Sequence, residues 1–398
     1  MLLNRFLSYV RIDTQSDEKS SSTPSTKKQY NLLKLLQKEL KEMGVKNELD
    51  QYGRLYGWLD GNNDYPRIGL CAHVDTADEA SGENVNPTVI EQYKGGDIPL
   101  GNSGLYLRPT EFKKLEECFN KTLIVTDGTT LLGADDKAGV SIIMETIIKY
   151  KKIPVEQRHP LSILFTPDEE VGRGAEHFDA KKYGAKFAYT IDGNTPLKAN
   201  IENFNAKSAD VFITGKAIHP GYAKGVMINA ARVLNTFLSY LPKNKVPEKT
   251  DKRQGYINIG EMNGTCEKAY AHLTIRDHDK NRIERLVDDI AIAKFKTQKK
   301  YPGAVIDVEV KDSYKNMIEI IEKDPECKEH LEKVYQKMGL PLEYDPIRGG
   351  TDGANFSFEG CPCPNLGTGS YNHHGRYEFA VLQEMELLVD ICLELLKI

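Results

Sequence analysis

The chain has 398 residues, of which 40% are hydrophobic and 28% are charged, and its formal net charge is −5. These values are typical of a globular protein of two or three domains with enough apolar residues for sizeable cores. The mild charge argues against nucleic acid or an anionic membrane as a partner, because both call for concentrated basic surface.

The N-terminal stretch MLLNRFLSYVRID lacks the features of a signal peptide and predicts an amphipathic helix. No apolar run approaches the roughly 20 residues that span a bilayer. The seven cysteines form an odd, scattered set that does not resemble a disulfide framework, so we expect a reducing cytoplasm. Cys361 and Cys363, in GCPCPN, are predicted to be core thiols rather than metal ligands.

Helices and strands alternate along the first half of the chain. The stretch STKKQYNLLKLLQKELKEMG has leucines on one broad face and predicts a helix that ends at Gly44. A second helix is predicted for DKAGVSIIMETIIKYKK, and strands are predicted for RIGLCAHVD, TLIVTDG, LSILFTP and KFAYTID. This order predicts an α/β fold with a mixed, mostly parallel sheet flanked by helices.

The pattern changes at about Phe204. The next hundred residues predict the order β-α-β-β-α-β, which is the ferredoxin-like α+β arrangement. We therefore predict an inserted domain over 204–311 and a discontinuous α/β domain over 1–203 and 312–398. Residues 77–109 form a loop that is long for a connection. A terminal helix is predicted from about Glu378.

Imidazole and carboxylate side chains follow the predicted strands. A lone histidine beside a core is more often structural than a ligand, but five such sites at strand ends favour a common ligand. The residues are His73 and Asp75 in LCAHVDT, Asp135 and Asp136 in TLLGADDKAG, Glu169 and Glu170 in FTPDEEVG, Asp192 in YTIDGN, and His373 and His374 in GSYNHHGRYEF.

Mixed histidine and carboxylate ligands suit zinc, manganese or cobalt, with zinc as the default. The absence of a thiolate set argues against a closed structural zinc site. The number of candidate ligands exceeds the three protein ligands that one catalytic metal requires. We therefore predict two metal ions that share one bridging carboxylate. Their charge would explain the three consecutive carboxylates of FTPDEEVG, which would otherwise repel one another.

Eight motifs occur in the order seen in the dinuclear-zinc M20 metallopeptidases, which the chain resembles over essentially its whole length. They are AHVDT, LLGADDKAG, FTPDEEVG, YTIDG, AIHPGYAKGVMINA, IRDHD, PIRGGTDGA and YNHHGRYEF. The resemblance implies a discontinuous catalytic domain with an inserted lid domain. It also implies that one zinc is held by His73, Asp135 and Asp192, and the other by Asp135, Glu170 and His374.

Spacing alone does not decide between His373 and His374. The family motif, in which the histidine directly precedes glycine, favours His374. The resemblance further implies that Asp75 hydrogen-bonds His73 and sets its tautomer. A cis peptide is implied between Asp135 and Asp136.

The resemblance assigns the proton transfer to Glu169, which would act as the general base for a zinc-activated water. His219, from the inserted domain, would stabilise the oxyanion. Arg276, also from the inserted domain, and Arg348, from the catalytic domain, are candidates to bind a peptide carboxylate as a bidentate fork. For each arginine, a surface ion pair is the competing interpretation.

The activity that the resemblance implies is a cytoplasmic aminopeptidase that releases the N-terminal residue from tripeptides. A dipeptidase, a carboxypeptidase or an N-acyl amino acid deacylase would share the same zinc residues, and cobalt or manganese could replace zinc. A non-catalytic peptide-binding relative would lack ligands or the base, yet all of them are present. By analogy with relatives, the inserted domain could form a homodimer through an edge strand.

Overall fold

Two units make up the chain, and the computed structural model describes residues 1–398. Unit 1 comprises Met1–Ile201, Met317–Asp345 and Thr351–Ile398. Unit 2 comprises Glu202–Asn316 and Pro346–Gly350. Unit 2 is thus inserted in the sequence of unit 1.

Helices occur in both units, and most have one buried apolar face. The first has Leu2, Phe6, Tyr9 and Val10 buried, which is the spacing of an amphipathic helix. The helices are α1 (Leu2–Val10), α2 (Gln29–Glu42), α3 (Ala134–Tyr150), α4 (Ala180–Tyr183), α5 (Ala230–Ser239), α6 (Lys280–Lys300), α7 (Ile318–Ile321), α8 (Glu326–Met338), α9 (Asp352–Phe358) and α10 (Leu382–Leu395).

The strands form one large sheet and three smaller ones. They are β1 (Lys46–Leu49), β2 (Leu55–Leu59), β3 (Ile68–His73), β4 (Thr88–Ile90), β5 (Ile98–Pro99), β6 (Tyr106–Leu107), β7 (Leu123–Val125), β8 (Leu161–Thr166), β9 (Phe187–Ile191), β10 (Lys198–Asn200), β11 (Asn205–Thr214), β12 (Tyr256–Gly264), β13 (Lys268–Asp277), β14 (Val305–Asp312), β15 (Glu343–Tyr344), β16 (Asn365–Leu366), β17 (Ser370–Tyr371) and β18 (Phe379–Val381).

The large sheet of unit 1 has the order β1-β2-β8-β3-β9-β16-β10-β15. Strand β3 lies between β8 and β9, parallel to both, and all three strands are buried at every position. Strands buried on both faces require continuous apolar runs, which explains the sequences IGLCAH and LSILFT. Antiparallel pairs at β1–β2, β2–β8 and β10–β16 make the sheet mixed, as predicted.

The carboxyl ends of β3, β8 and β9 meet at one edge of this sheet because the three strands are parallel. Residue His73 of β3 is in register with Thr166 of β8, and Cys71 is in register with Thr190 of β9. Ligand sites in open α/β sheets lie beyond this edge. The side chains that follow the three strands are therefore brought together.

The end of the chain differs from the sequence prediction. The terminal helix begins at Leu382 and not near Glu378, because Phe379–Val381 instead forms β18. This strand pairs antiparallel with β7 and lies in the four-stranded sheet β17-β18-β7-β4. The long loop over 77–109 also contains three short strands, β4, β5 and β6.

Unit 2 has the element order β11-α5-β12-β13-α6-β14, which confirms the predicted ferredoxin-like arrangement. Its four strands form an antiparallel sheet in the order β12-β13-β11-β14. Along β11, Ala209, Val211 and Ile213 are buried in the core of the unit, whereas Phe212 points to the exposed side. Helix α5 starts only at Ala230, because the side chain of Asn229 caps the N–H of Arg232.

All seven cysteines are free thiols, and Cys361 and Cys363 are buried, as expected of core residues. None of the helices combines the length and the apolar character that crossing a membrane requires.

Candidate metal and catalytic site

The predicted ligands of unit 1 come from five segments of the chain. His73 is the last residue of β3, and Asp192 directly follows β9. Asp135 lies in the first turn of α3, where the chain is not yet helical. Glu170 follows β8, and His374 lies between β17 and β18.

The imidazole of His73 contacts three of the predicted residues. Its Nε2 lies 3.0 Å from Oδ1 of Asp135 and 3.8 Å from Oδ1 of Asp192. Its Nδ1 lies 3.3 Å from Oδ1 of Asp75 and 3.1 Å from the Asp75 carbonyl oxygen. Because Asp75 occupies Nδ1, Nε2 is left facing the two carboxylates. This is the orientation that the sequence predicted for a metal-binding histidine.

A second group forms around His374. Its Nε2 lies 2.9 Å from Oε2 of Glu170 and 3.6 Å from Oδ2 of Asp135. On the other side of the ring, Nδ1 lies 3.1 Å from Oε1 of Glu79. Asp135 therefore faces His73 through one carboxylate oxygen and His374 through the other. That is the position a bridging ligand would occupy.

The neighbouring His373 also reaches Asp135. Its Nδ1 lies 3.1 Å from Oδ2 of Asp135, while its Nε2 lies 2.9 Å from Oγ of Ser370. Burial acts to raise the pKa of Asp135, but its contacts with His373, His374 and His73 hold that pKa well below its usual value. Of the two adjacent histidines, His374 is the one that also contacts Glu170.

No lysine or arginine offsets the negative charge of these carboxylates. Histidines, and no lysine or arginine, are the ion-pair partners of Asp135, Glu170 and Asp192. Burial raises the pKa of Glu170 to about 7, with the nearby charge of Asp135 adding to the shift. Burial and Asp135 likewise raise the pKa of Asp192 well above its usual value. Buried charges of this kind require a cation nearby.

The donor atoms are close enough to hold such a cation. The ligand atoms of His73, Asp135 and Glu170 lie within 4.8 Å of one another, and so do those of His73, Asp136 and Asp192. A mixed nitrogen and oxygen donor set suits zinc, manganese or cobalt. The residues present therefore fit a divalent metal.

The three consecutive carboxylates after β8 have different surroundings. Asp168 is buried away from the ligands and accepts hydrogen bonds from the N–H and Oγ of Ser25, at 2.7 and 2.5 Å, and from Nε2 of Gln29, at 2.7 Å. Glu170 contacts His374. Burial raises the pKa of Glu169 well above its usual value, which suits a group that must accept a proton. Only Asp168 has a purely structural setting.

Asp75 also contacts this loop. Its Oδ1 accepts the backbone N–H of Glu169 at 3.0 Å, and its Oδ2 accepts the N–H of Glu170 at 3.2 Å. The resemblance implied a contact of Asp75 with His73 alone. Its contact with the loop after β8 could not be predicted, because it joins the Asp75 side chain to backbone N–H groups nearly a hundred residues away.

Three further acidic residues in this region make contacts that the sequence did not indicate. Asp136 accepts the backbone N–H of His73 at 3.2 Å, and the Asp135–Asp136 peptide is cis, as the resemblance implied. Asp352 accepts a hydrogen bond from Oγ1 of Thr166 at 2.8 Å, and burial raises its pKa to about 7. The third, Glu378, is buried beside the loop that carries Asp135. The motifs TDGA and YEF contained Asp352 and Glu378, but nothing in their spacing indicated these contacts.

The predicted substrate-binding residues all lie in unit 2. His219 is exposed and caps a short turn, where its Nδ1 accepts the N–H of Gly221 at 3.1 Å. The guanidinium of Arg276 donates to the carbonyl oxygens of Lys207 and Ile275 and lies 5.3 Å from the ring of Tyr314.

Arg348 belongs to the Pro346–Gly350 segment of unit 2, whereas the sequence assigned it to the discontinuous catalytic domain. Its guanidinium donates to the carbonyl oxygens of Lys252, at 2.6 Å, and Gln254, at 3.0 Å. It also lies 5.1 Å from the ring of Phe204. Main-chain acceptors and an aromatic ring, rather than a surface carboxylate, thus surround this side chain.

Comparison with known proteins extends these observations. Residues 125–398 match the sequence profile of peptidase family M20/M25/M40. The chain is 48% identical over 402 residues to Peptidase T of Clostridium perfringens (strain 13 / Type A), covering 99% of this chain and 98% of that protein.

Two solved structures share the fold. One is a tripeptidase from Staphylococcus aureus subsp. aureus Mu50, with a TM-score of 0.75, 21% identity, and coverage of 99% of this chain and 96% of that one. The other, from Bacillus subtilis, is described as a dinuclear metal-binding peptidase from the M20 family, with a TM-score of 0.65, 13% identity, and coverage of 99% and 96%.

Proposed function

Because the chain belongs to peptidase family M20/M25/M40, we propose that it is a metallo-aminopeptidase that releases the N-terminal residue of tripeptides. The observation that carries the proposal is the two-sided contact of Asp135 with His73 and His374. The choice of tripeptides is supported by the description of the Staphylococcus structure as a tripeptidase.

The metal content that we propose is two zinc ions per chain, with cobalt or manganese as substitutes. His73, Asp135 and Asp192 would hold one ion, and Asp135, Glu170 and His374 the other. When bound, such ions polarise a carbonyl group and lower the pKa of a coordinated water toward neutrality. The description of the Bacillus subtilis structure as dinuclear supports the number of ions.

Proton transfer falls to Glu169. Its carboxylate would take a proton from the attacking water and then deliver it to the leaving amine, which needs a base whose pKa lies near the working pH. The raised pKa of Glu169 is in line with that role. Asp75 would keep both this residue and the ring of His73 in place.

The residues of unit 2 complete the proposal. His219 would stabilise the oxyanion of the tetrahedral intermediate, and Arg276 and Arg348 would bind the substrate carboxylate. Among these, Arg348 has the weaker support, because main-chain carbonyl oxygens already accept its hydrogen bonds. A cytoplasmic location and a homodimer formed through the edge of the unit 2 sheet remain part of the same proposal.

The experiment that tests the function is a peptide panel. The purified chain, loaded with zinc or cobalt, is incubated with free, N-acetylated and C-amidated di-, tri- and tetrapeptides. We expect release of the first residue from free tripeptides and no cleavage of acetylated ones. Cleavage of acetylated substrates would instead indicate a deacylase or carboxypeptidase, and inertness of the metal-loaded chain would indicate a peptide-binding protein.

A further inference from the structure

Glu378 is a buried carboxylate, 1% exposed, whose hydrogen bonds all go to one turn of the backbone. Its Oε2 accepts the N–H groups of Leu132 and Gly133, each at 2.7 Å. Its Oε1 accepts the N–H of Asp135 at 2.9 Å. Both oxygens of this side chain are thus used by the segment that leads into α3.

This turn lacks the usual means of satisfying its N–H groups. The first N–H groups of a helix have no partner within the helix, and a side chain at the N-cap position usually accepts one of them. The N-cap of α3 is Gly133, which has no side chain, and Asp135 and Asp136 are not helical. Glu378, from a segment more than two hundred residues away, takes the place of the cap. Its negative charge also suits the N-terminal end of a helix.

Glu378 holds the backbone of Asp135, the residue that lies between His73 and His374. Asp135 contacts His73 through Oδ1 and His374 through Oδ2. The direction of its side chain depends on the position of its own backbone, which Glu378 restrains at the N–H. A shift of this turn would therefore move both carboxylate oxygens together.

We propose that Glu378 is a positioning residue that holds the carboxylate of Asp135 between the two proposed metal positions. The inference rests on the proposed metal site. Some residues orient metal ligands by hydrogen bonding without contacting the metal. Replacing such a residue typically lowers metal affinity or activity by about 10- to 100-fold.

The decisive variant is Glu378→Gln, which preserves the length of the side chain. Its one oxygen can still accept the N–H groups of Leu132 and Gly133, but its amide group would then place a donor against the N–H of Asp135. We expect zinc affinity, measured by competition with a chromophoric chelator, to fall about 10- to 100-fold. We also expect the visible absorption spectrum of the cobalt-loaded chain to change, because the ligand geometry changes.

Glu384→Gln is the matched control. Glu384 is also a buried carboxylate of the C-terminal segment, but it accepts hydrogen bonds from Lys121 and Tyr371, outside the site. This variant should lower the melting temperature and leave zinc affinity and the cobalt spectrum unchanged. A metal effect specific to Glu378 therefore separates positioning from a general loss of stability.

The outcomes separate this inference from the proposed function. If folded Glu378→Gln binds zinc with wild-type affinity and an unchanged cobalt spectrum, the positioning role is refuted. If the wild-type chain binds no zinc, the metal site itself is refuted. Should Glu378→Gln fail to fold by circular dichroism, Glu378→Asp decides, because it keeps both acceptor oxygens but shortens their reach. Its zinc affinity should lie below that of the wild type, and an unchanged affinity would refute the role.

Discussion

The carboxylate of Asp75 accepts the backbone N–H of Glu169 at 3.0 Å. The same carboxylate accepts the N–H of Glu170 and lies 3.3 Å from Nδ1 of His73. One side chain after β3 thus links the predicted metal-binding imidazole to the loop after β8. The position of the proposed base and the orientation of a proposed ligand depend on the same group.

Replacing this carboxylate should affect both parts of the site. In Asp75→Asn, one oxygen becomes an NH2 group, which cannot accept the N–H of Glu169 or Glu170. We expect kcat/KM for a tripeptide to fall at least 10- to 100-fold, by analogy with other groups that orient metal ligands. Steady-state kinetics and zinc analysis of the same preparation measure the two effects. Wild-type kinetics with full metal content would contradict the assigned role.

The two glutamates after β8 should respond differently to replacement. Glu169→Ala removes the proposed base and no ligand, so we expect it to retain both metal ions and lose most of its turnover. Glu170→Ala removes a ligand, so we expect about one zinc ion less per chain by elemental analysis. Each variant serves as the control for the other. Substantial activity of fully loaded Glu169→Ala would reject the assignment of the base.

Asp168 should affect stability and not metal content. In Asp168→Asn an NH2 group replaces one carboxylate oxygen, and it cannot accept hydrogen bonds from Ser25 or Gln29. These donors are buried, so at least one of them would be left without its acceptor. Asparagine tolerates the φ of 60° at this position, so backbone strain does not complicate the result. We expect the free energy of unfolding to fall by about 1–3 kcal/mol, measured in denaturant. Unchanged stability, or loss of zinc, would contradict this interpretation.

Much of this site could be predicted from the sequence, because each ligand follows an apolar run that forms a buried strand or precedes a helix. His73, Asp135 and Asp192 were found in this way, and the structure brings them into contact. The contacts of Glu378 and Asp136 could not be predicted, because their partners are backbone N–H groups of distant segments. A sequence pattern shows which side chains can bind a metal but not which backbone groups need an acceptor.

The same distinction applies to the fold. The buried strands and the element order of unit 2 followed from hydrophobic patterns. The start of the terminal helix was misplaced because FAV is equally compatible with a strand, and only the pairing of β18 with β7 decides between them. Such short apolar runs are ambiguous without their tertiary partners.

A pair of histidines in unit 1, one buried and one half-buried, predicts a loss of stability in mild acid. The rings of His159 and His330 lie 5.5 Å apart, and one nitrogen of each contacts a backbone carbonyl oxygen, of Pro66 and Leu395 respectively. Burial lowers the pKa of both rings below the usual value of 6.5, although their backbone hydrogen bonds oppose this. The unfolded chain therefore binds more protons than the folded chain as the pH falls through 6.5.

The stabilising contribution of the neutral pair is fully present above pH 6.5 and is lost as the pH falls through the lowered pKa values. In the double variant His159→Gln/His330→Gln, the melting temperature should depend less steeply on pH between about 7 and 5 than in the wild type. A chelator in all samples removes the contribution of metal binding. His177→Gln, which replaces an exposed ring, should keep the wild-type slope. An unchanged slope in the double variant would exclude the pair as the cause.

The hydrogen bonds from Leu132, Gly133 and Asp135 to Glu378 also bear on biosynthesis. A ribosome releases residues 73–192 long before it releases residues 374–378, and domains that emerge first generally fold first. The turn at Asp135 would then lack its acceptor until the segment that carries Glu378 has docked. In a nascent chain, the proposed metal site would therefore stay incomplete until residues 374–378 have been released.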